Sequence, residues 1–189
     1  MQQYKKVCVI GAGDWGKNHI STLYEFGALG GMVDSSEKIR NYFKTKYPSI
    51  SIFQKVSDAI NSGDFDGYVV ATPAETHYEI ALEIINAGCH VLVEKPVTLT
   101  IEDVYSLKEA AKSQHVNLMA AHVLLFHPAI QKIKEMLDSG IIGNLQYIYS
   151  NRLNLGAVRT EENVFWSLAP HDISIFQYLT ETKPRKITS

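Results

Sequence analysis

Residues 9–19, VIGAGDWGKNH, carry Gly11, Gly13 and Gly16 at the spacing G-x-G-x-x-G, directly after an apolar run. Glycines so placed let a chain turn sharply and let backbone N–H groups approach a pyrophosphate at the start of a helix. The pattern is weak by itself, because glycines are common in turns. It becomes specific when a strand precedes it, a helix follows it and an acidic residue lies roughly 20 residues on. Asp34 stands at that distance, at the end of the next apolar run. Its carboxylate can accept hydrogen bonds from ribose hydroxyls and would repel a 2′-phosphate, and Ser35 and Ser36 follow it rather than arginine. The expected cofactor is therefore NAD, with NADP less favoured. Asp14 and Trp15, inside the glycine run, join the candidate cofactor contacts. Trp15 equally suits a staple between helix and sheet.

Two further clusters lie where strands should end. ATPAETH places Ala71, Thr72 and Pro73 at one end, with His77 one helical turn on, and VEKP places Glu94, Lys95 and Pro96 at the other. Ligands of open α/β sheets lie outside the carboxyl ends of the strands, so all of these are candidate cofactor-site residues. A residue before proline avoids helical angles, which restricts where the Lys95 ammonium points. The bland alternative for Lys95 is a solvated strand-end lysine. The remaining histidines show no metal-ligand spacing, and Cys8 and Cys89 read as small hydrophobes, so neither a metal site nor a disulfide framework is expected.

The elements that must position these residues follow from periodicity. Apolar runs of strand type at Val7–Ile10, 28–34, Ile50–Phe53, 66–73, 90–96 and 116–125 alternate with amphipathic segments of helical type. Gly27, Gly88 and Gly140 suit helix ends, Ser57 and Thr100 suit N-caps, and Pro128 suits a first turn. Such alternation predicts βαβ units and a doubly wound parallel sheet covered on both faces. The pattern changes at LQYIYSNRLNL, which reads as a long strand from Leu145, followed by a loop and a short helix from about Pro170 to Leu179. The domain boundary therefore belongs between about Phe126 and Gly140, giving 1–125 as the dinucleotide domain and 126–189 as the start of an α+β domain.

The chain has 189 residues and a net charge of −2, which offers no surface for nucleic acid. The apolar run near the N-terminus is too short for a signal peptide, and no run approaches a membrane span. The expectation is a cytoplasmic protein.

GAGDWG, then ATPAETHYEIALEIINAG, then HVLVEKP resemble the glucose–fructose oxidoreductase/inositol dehydrogenase (Gfo/Idh/MocA) family. The resemblance runs to about Leu179, and the EKP element is its most specific part. It implies a Rossmann domain holding NAD or NADP and a second domain presenting substrate on an open antiparallel sheet. It further implies that Lys95 contacts the reacting hydroxyl and that His171, in SLAPHDIS, acts as acid/base at a helix start. There the helix field would disfavour the imidazolium and so favour a base. The segment YIYSNRLNLGAVRTEENVFWSLAPHD is similar to the branch near nucleotide-sugar dehydrogenases, which makes Arg152, Asn154, Arg159 and Trp166 candidate substrate contacts. The implied activity is NAD-dependent oxidation of a secondary hydroxyl of a sugar or nucleotide sugar, of UDP-N-acetyl-hexuronate type. Ser167 departs from the aspartate usual four residues before the histidine, and the chain ends well short of family length. Two alternatives therefore stay open: a non-catalytic dinucleotide-binding sensor, and a fragment inactive alone. The incomplete sheet expected after Leu145 suggests a homo-oligomer.

Overall fold

The computed structural model describes residues 5–153 and 164–188. The chain divides into two compact units, Met1–Ala121 and His122–Ser189.

The first unit is built on a six-stranded parallel sheet: β1 (Val7–Ile10), β2 (Leu29–Val33), β3 (Ser51–Phe53), β4 (Gly67–Val70), β5 (His90–Val93) and β6 (Leu118–Ala120), in the order β3-β2-β1-β4-β5-β6. The connecting helices are α1 (Gly16–Glu25), α2 (Glu37–Lys46), α3 (Val56–Ser62), α4 (His77–Asn86) and α5 (Ile101–Ser113). The order runs outward from β1 in both directions, so the crevice between the β1 and β4 ends is the switch point of a doubly wound sheet.

The alternation of strand side chains decides what covers each face. Cys8 and Ile10 of β1, with Tyr68 and Val70 of β4, enter a core with Ala81, Ile84 and Ile85 of α4 and Leu107 of α5. Val9 and Val69 point the other way, onto Ile20 of α1, Met32 of β2 and Phe43 of α2. Each aliphatic side chain fully buried this way contributes about 1.5–3 kcal/mol, so both faces are held by burial. Gly31 is required on β2 because a Cβ there would lie 2.6 Å from the Phe65 ring.

Helix ends follow local chemistry. Thr100 Oγ1 accepts the Asp103 N–H at 3.1 Å, as expected of an N-cap. Gly27 and Gly88 follow α1 and α4 at positive φ. Ser57 lies inside α3 instead of capping it; the cap position is Lys55, whose side chain makes no capping bond. β6 also ends sooner than the run of apolar residues suggests, and Val123–Phe126 forms a 3₁₀ turn.

The second unit contains α6 (Pro128–Asp138) and α7 (Val164–Thr180). Pro128 occupies the first turn of α6, and Gly140 follows it at φ +72°. Two expectations need correction here. Leu145–Leu153 forms no strand, because no neighbouring strand among the described residues supplies the ladder that an extended segment needs. α7 begins at Val164, with Pro170 in its interior. The helix runs through the proline, its seventh residue, at the loss of one backbone hydrogen bond.

Candidate functional site

The β1–α1 turn is fixed by close contacts that exclude side chains at two of its glycines and leave the third open. Gly11 has φ +84°, its N–H donates to the Val33 carbonyl at 2.8 Å, and an added Cβ would lie 2.8 Å from the Ala71 carbonyl. At Gly16 a Cβ would fall 1.8 Å from the Gly11 carbonyl oxygen. Around Gly13 nothing lies within 4 Å of that position. The first and third glycines thus let turn, helix and β4 meet, and the second leaves room for a ligand to touch backbone. Trp15, at the N-cap of α1, makes no side-chain capping bond; the Lys17 and Asn18 N–H groups of the first turn donate to the Gly13 and Trp15 carbonyls at 3.1 and 2.9 Å.

Asp34 ties this turn to β2. Its Oδ2 accepts the Ala12 N–H at 2.9 Å, and its Oδ1 accepts the Ser36 N–H at 2.8 Å. Each carboxylate oxygen retains a lone pair. Arg40, which local spacing did not single out, reaches back from α2. Its Nη1 donates to the Asp34 and Ser35 carbonyls, both at 2.8 Å. Asp14 is exposed and pairs with Lys17 at 2.8 Å, and that bond holds its carboxyl below the usual range. Trp15 is half exposed rather than packed into the sheet.

The ends of β4 and β5 are bound together by His77. It is buried, with Nδ1 2.7 Å from the Pro96 carbonyl and Nε2 2.8 Å from the Thr72 carbonyl. Both partners are backbone carbonyls, so the ring bridges the two loops through its two nitrogens. The Thr76 hydroxyl lies 2.7 Å from Thr72 Oγ1 and 2.8 Å from the Pro73 carbonyl. Ala71, Thr72 and Pro73 therefore form a braced loop beside Gly11.

Glu94 follows β5 and is buried; its Oε1 lies 2.7 Å from His19 Nε2 on α1, and its Oε2 accepts the Lys95 N–H at 3.2 Å. Burial pushes its carboxyl up, but the His19 bond and charge, with Lys95, outweigh that and hold it below the usual range. The Lys95 backbone is thereby anchored to the glycine-rich helix, and its half-buried side chain belongs to this loop.

In the second unit His171 is the eighth residue of α7, not its first turn. The argument from the field at a helix N-terminus, which fades within the first turn, does not apply there. Its neighbour Asp172 takes Arg152 in a bidentate pair, Nε–Oδ2 2.6 Å and Nη2–Oδ1 3.1 Å, and accepts the Ser150 hydroxyl at 2.7 Å. These bonds, Arg152 first, hold the Asp172 carboxyl low. Arg152, Asp172, Ile148, Phe165, Leu168 and Phe176 line an open groove of about 630 Å³. Trp166 is partly exposed on α7. Asn154 and Arg159 lie outside the described residues. Among the described residues no group of three or more His, Cys, Asp or Glu could hold a metal ion, and no helix is long and apolar enough to cross a membrane.

The first unit suits a dinucleotide: open backbone at Gly13, the start of α1 directly after the glycine turn, and a carboxylate at the end of β2. Comparison with known proteins agrees. Residues 5–122 match the model of the oxidoreductase family with an NAD-binding Rossmann fold. The chain is 29% identical over 182 residues to a UDP-N-acetylglucosamine 3-dehydrogenase of Acidithiobacillus ferrooxidans, covering 93% of this chain and 54% of that protein. It is 28% identical to inositol 2-dehydrogenase 1 of Saccharopolyspora erythraea, covering 97% and 56%. The WlbA dehydrogenase from Bordetella pertussis, solved in complex with NADH and UDP-GlcNAcA, superposes with a TM-score of 0.68 at 26% identity over 73% of this chain and 44% of that one. The chain thus spans about half the length of the relatives it matches. With the glycine turn, the Asp34 hook and the anchored EKP loop in one unit, the chain belongs to the Gfo/Idh/MocA oxidoreductase family, with its NAD-binding Rossmann fold.

Proposed function

We propose that this chain carries the NAD site of a dehydrogenase that oxidises a secondary hydroxyl of a sugar or nucleotide sugar, of UDP-N-acetyl-hexuronate type. The observation that carries the reading is the Asp34 hook on the glycine turn, which sets a ribose-binding carboxylate beside the open backbone of Gly13. When bound, NAD supplies the hydride acceptor. Gly13, Asp14, Trp15 and Asp34 hold its adenosine and pyrophosphate side, and Ala71, Thr72, Pro73 and Glu94 border the other. His77 shapes that border from beneath by holding the two loop carbonyls together.

Lys95 steadies the charge that develops on the substrate oxygen, and His171 accepts the proton released from it. Glu94, fixed by His19, keeps the Lys95 loop in place. Arg152, Asn154, Arg159 and Trp166 are assigned to the sugar or its diphosphate, a role that arginine suits by bidentate bonding. Lys95→Ala or His171→Ala should each lower NAD reduction on a panel of UDP-sugars by roughly 10²–10⁴-fold and leave NADH affinity nearly unchanged. Loss of NADH affinity in either variant would remove it from the proton chemistry.

A second reading, a dinucleotide-binding sensor, is favoured by one observation: Arg152 is already committed to Asp172. NADH binding without turnover of any UDP-sugar or polyol would select it.

A further inference from the structure

We propose that Arg40 is a second determinant of cofactor choice: its guanidinium receives the 2′-phosphate of NADP, so that this chain takes NADP as a weaker alternative to NAD. The proposal rests on the dinucleotide site described above and concerns one side chain beside it.

Arg40 is half-buried in the first turn of α2, with Nη1 on the carbonyls of Asp34 and Ser35. Those two peptides form the turn from which the Asp34 side chain projects. The guanidinium is therefore held at the strand end where the adenosine ribose is read. Its charge has no anionic partner there among the described residues. Among the described residues no carboxylate oxygen lies within 4.0 Å of it. The carboxylate of the turn itself, Asp34, is engaged by the Ala12 and Ser36 N–H groups instead. Nη1 meets two neutral carbonyls, and no hydrogen bond engages Nε or Nη2 within the described residues.

A guanidinium stays charged at any working pH and bonds phosphate in bidentate fashion. A half-buried one without an anion at a ribose site is thus matched to a phosphate on that ribose. Asp34 acts in the opposite sense: it takes the free 2′-hydroxyl and repels a phosphate. The two side chains pull cofactor choice in opposite directions at one turn, so NAD is preferred and NADP is still accepted.

The test is titration of the full chain with NADH and with NADPH, followed by nicotinamide fluorescence, at low and high salt. Arg40→Gln removes the charge and keeps an amide that can donate to the same carbonyls. It should weaken NADPH by about tenfold or more, the loss of one charge-assisted bond, and NADH by less than about threefold. The NADPH arm alone should be strongly salt-dependent. Asp34→Asn should tighten NADPH, and adding Arg40→Gln should cancel that gain. Equal losses for both cofactors in Arg40→Gln would make Arg40 a brace of the turn or a support for adenine, and would overturn the proposal. NADPH binding undetectable in both wild type and Asp34→Asn would overturn it as well, independently of how Arg40→Gln folds. Failure of the wild type to bind either dinucleotide would remove the cofactor site and this proposal together.

Discussion

Gly13 and Gly16 belong to one motif but have opposite surroundings, and substitution should separate their roles. A methyl at Gly16 would meet backbone at 1.8 Å, so strand and helix must move apart. Gly16→Ala should destabilise the first unit by at least the ~1–3 kcal/mol usual for overpacking, read as a fall in the urea midpoint. Gly13 has open space around it. A bulkier residue there should change the midpoint by no more than about 0.5 kcal/mol, as at other surface sites, and still abolish NADH binding. Loss of both properties in Gly13→Val would make that glycine structural. Asp34→Ala removes the acceptor for the Ala12 N–H and the ribose ligand together, so NADH should weaken more than NADPH. Cys8 shows burial acting on titration alone: its thiol is pushed up to about 12 from 9.0. A thiol reagent at neutral pH should reach Cys89 in the native chain and Cys8 only on unfolding.

At the scale of elements, the tie between α1 and the end of β5 runs through His19 and Glu94, 75 positions apart. Glu94 has a folded-state pKa below its ordinary value of 4.5. A depressed carboxyl stabilises the fold above its unfolded pKa, and that contribution is lost as pH falls through the folded value. The urea midpoint of the wild type should therefore fall further between pH 7 and acid than that of Glu94→Gln, which has lost the contribution at every pH. Parallel curves would show that the pair adds no linked stability. Such long-range pairs are what the sequence conceals. The helix ends at Gly27, Gly88 and Thr100, and the glycine turn itself, are local signals in which residue type and backbone geometry coincide. Arg40 escaped notice because its contact runs backward through a helical turn to the preceding strand end, six positions away. The Leu145 segment has the alternation of a strand, but alternation supplies a face and not a partner. At Pro170 the preference of proline for a first turn did not mark the helix start, which lies six residues earlier.

For the whole molecule, the two units differ in how completely they bury apolar surface. The first encloses its sheet between two helical layers. The second leaves Tyr147, Tyr149 and Leu153 83%, 76% and 89% exposed along one segment outside helix and strand, with Phe165 and Ile173 also exposed on α7. Scattered exposed hydrophobics are ordinary, but a run of them on an unpaired backbone segment offers both apolar area and free hydrogen-bonding groups. Burial at roughly 25 cal/mol per Å² makes a few such side chains enough to drive association once the segment pairs. The chain should therefore self-associate in solution through this unit, with the Leu145–Leu153 segment inside the contact. Light scattering over a concentration series should show dimers or larger species. Tyr149→Lys with Leu153→Asp, which put charge into the contact without touching either buried core, should return them to monomer while NADH affinity stays the same. A wild-type chain that remains monomeric at high concentration would exclude that contact, and the apolar segment would then be surface of the second unit alone.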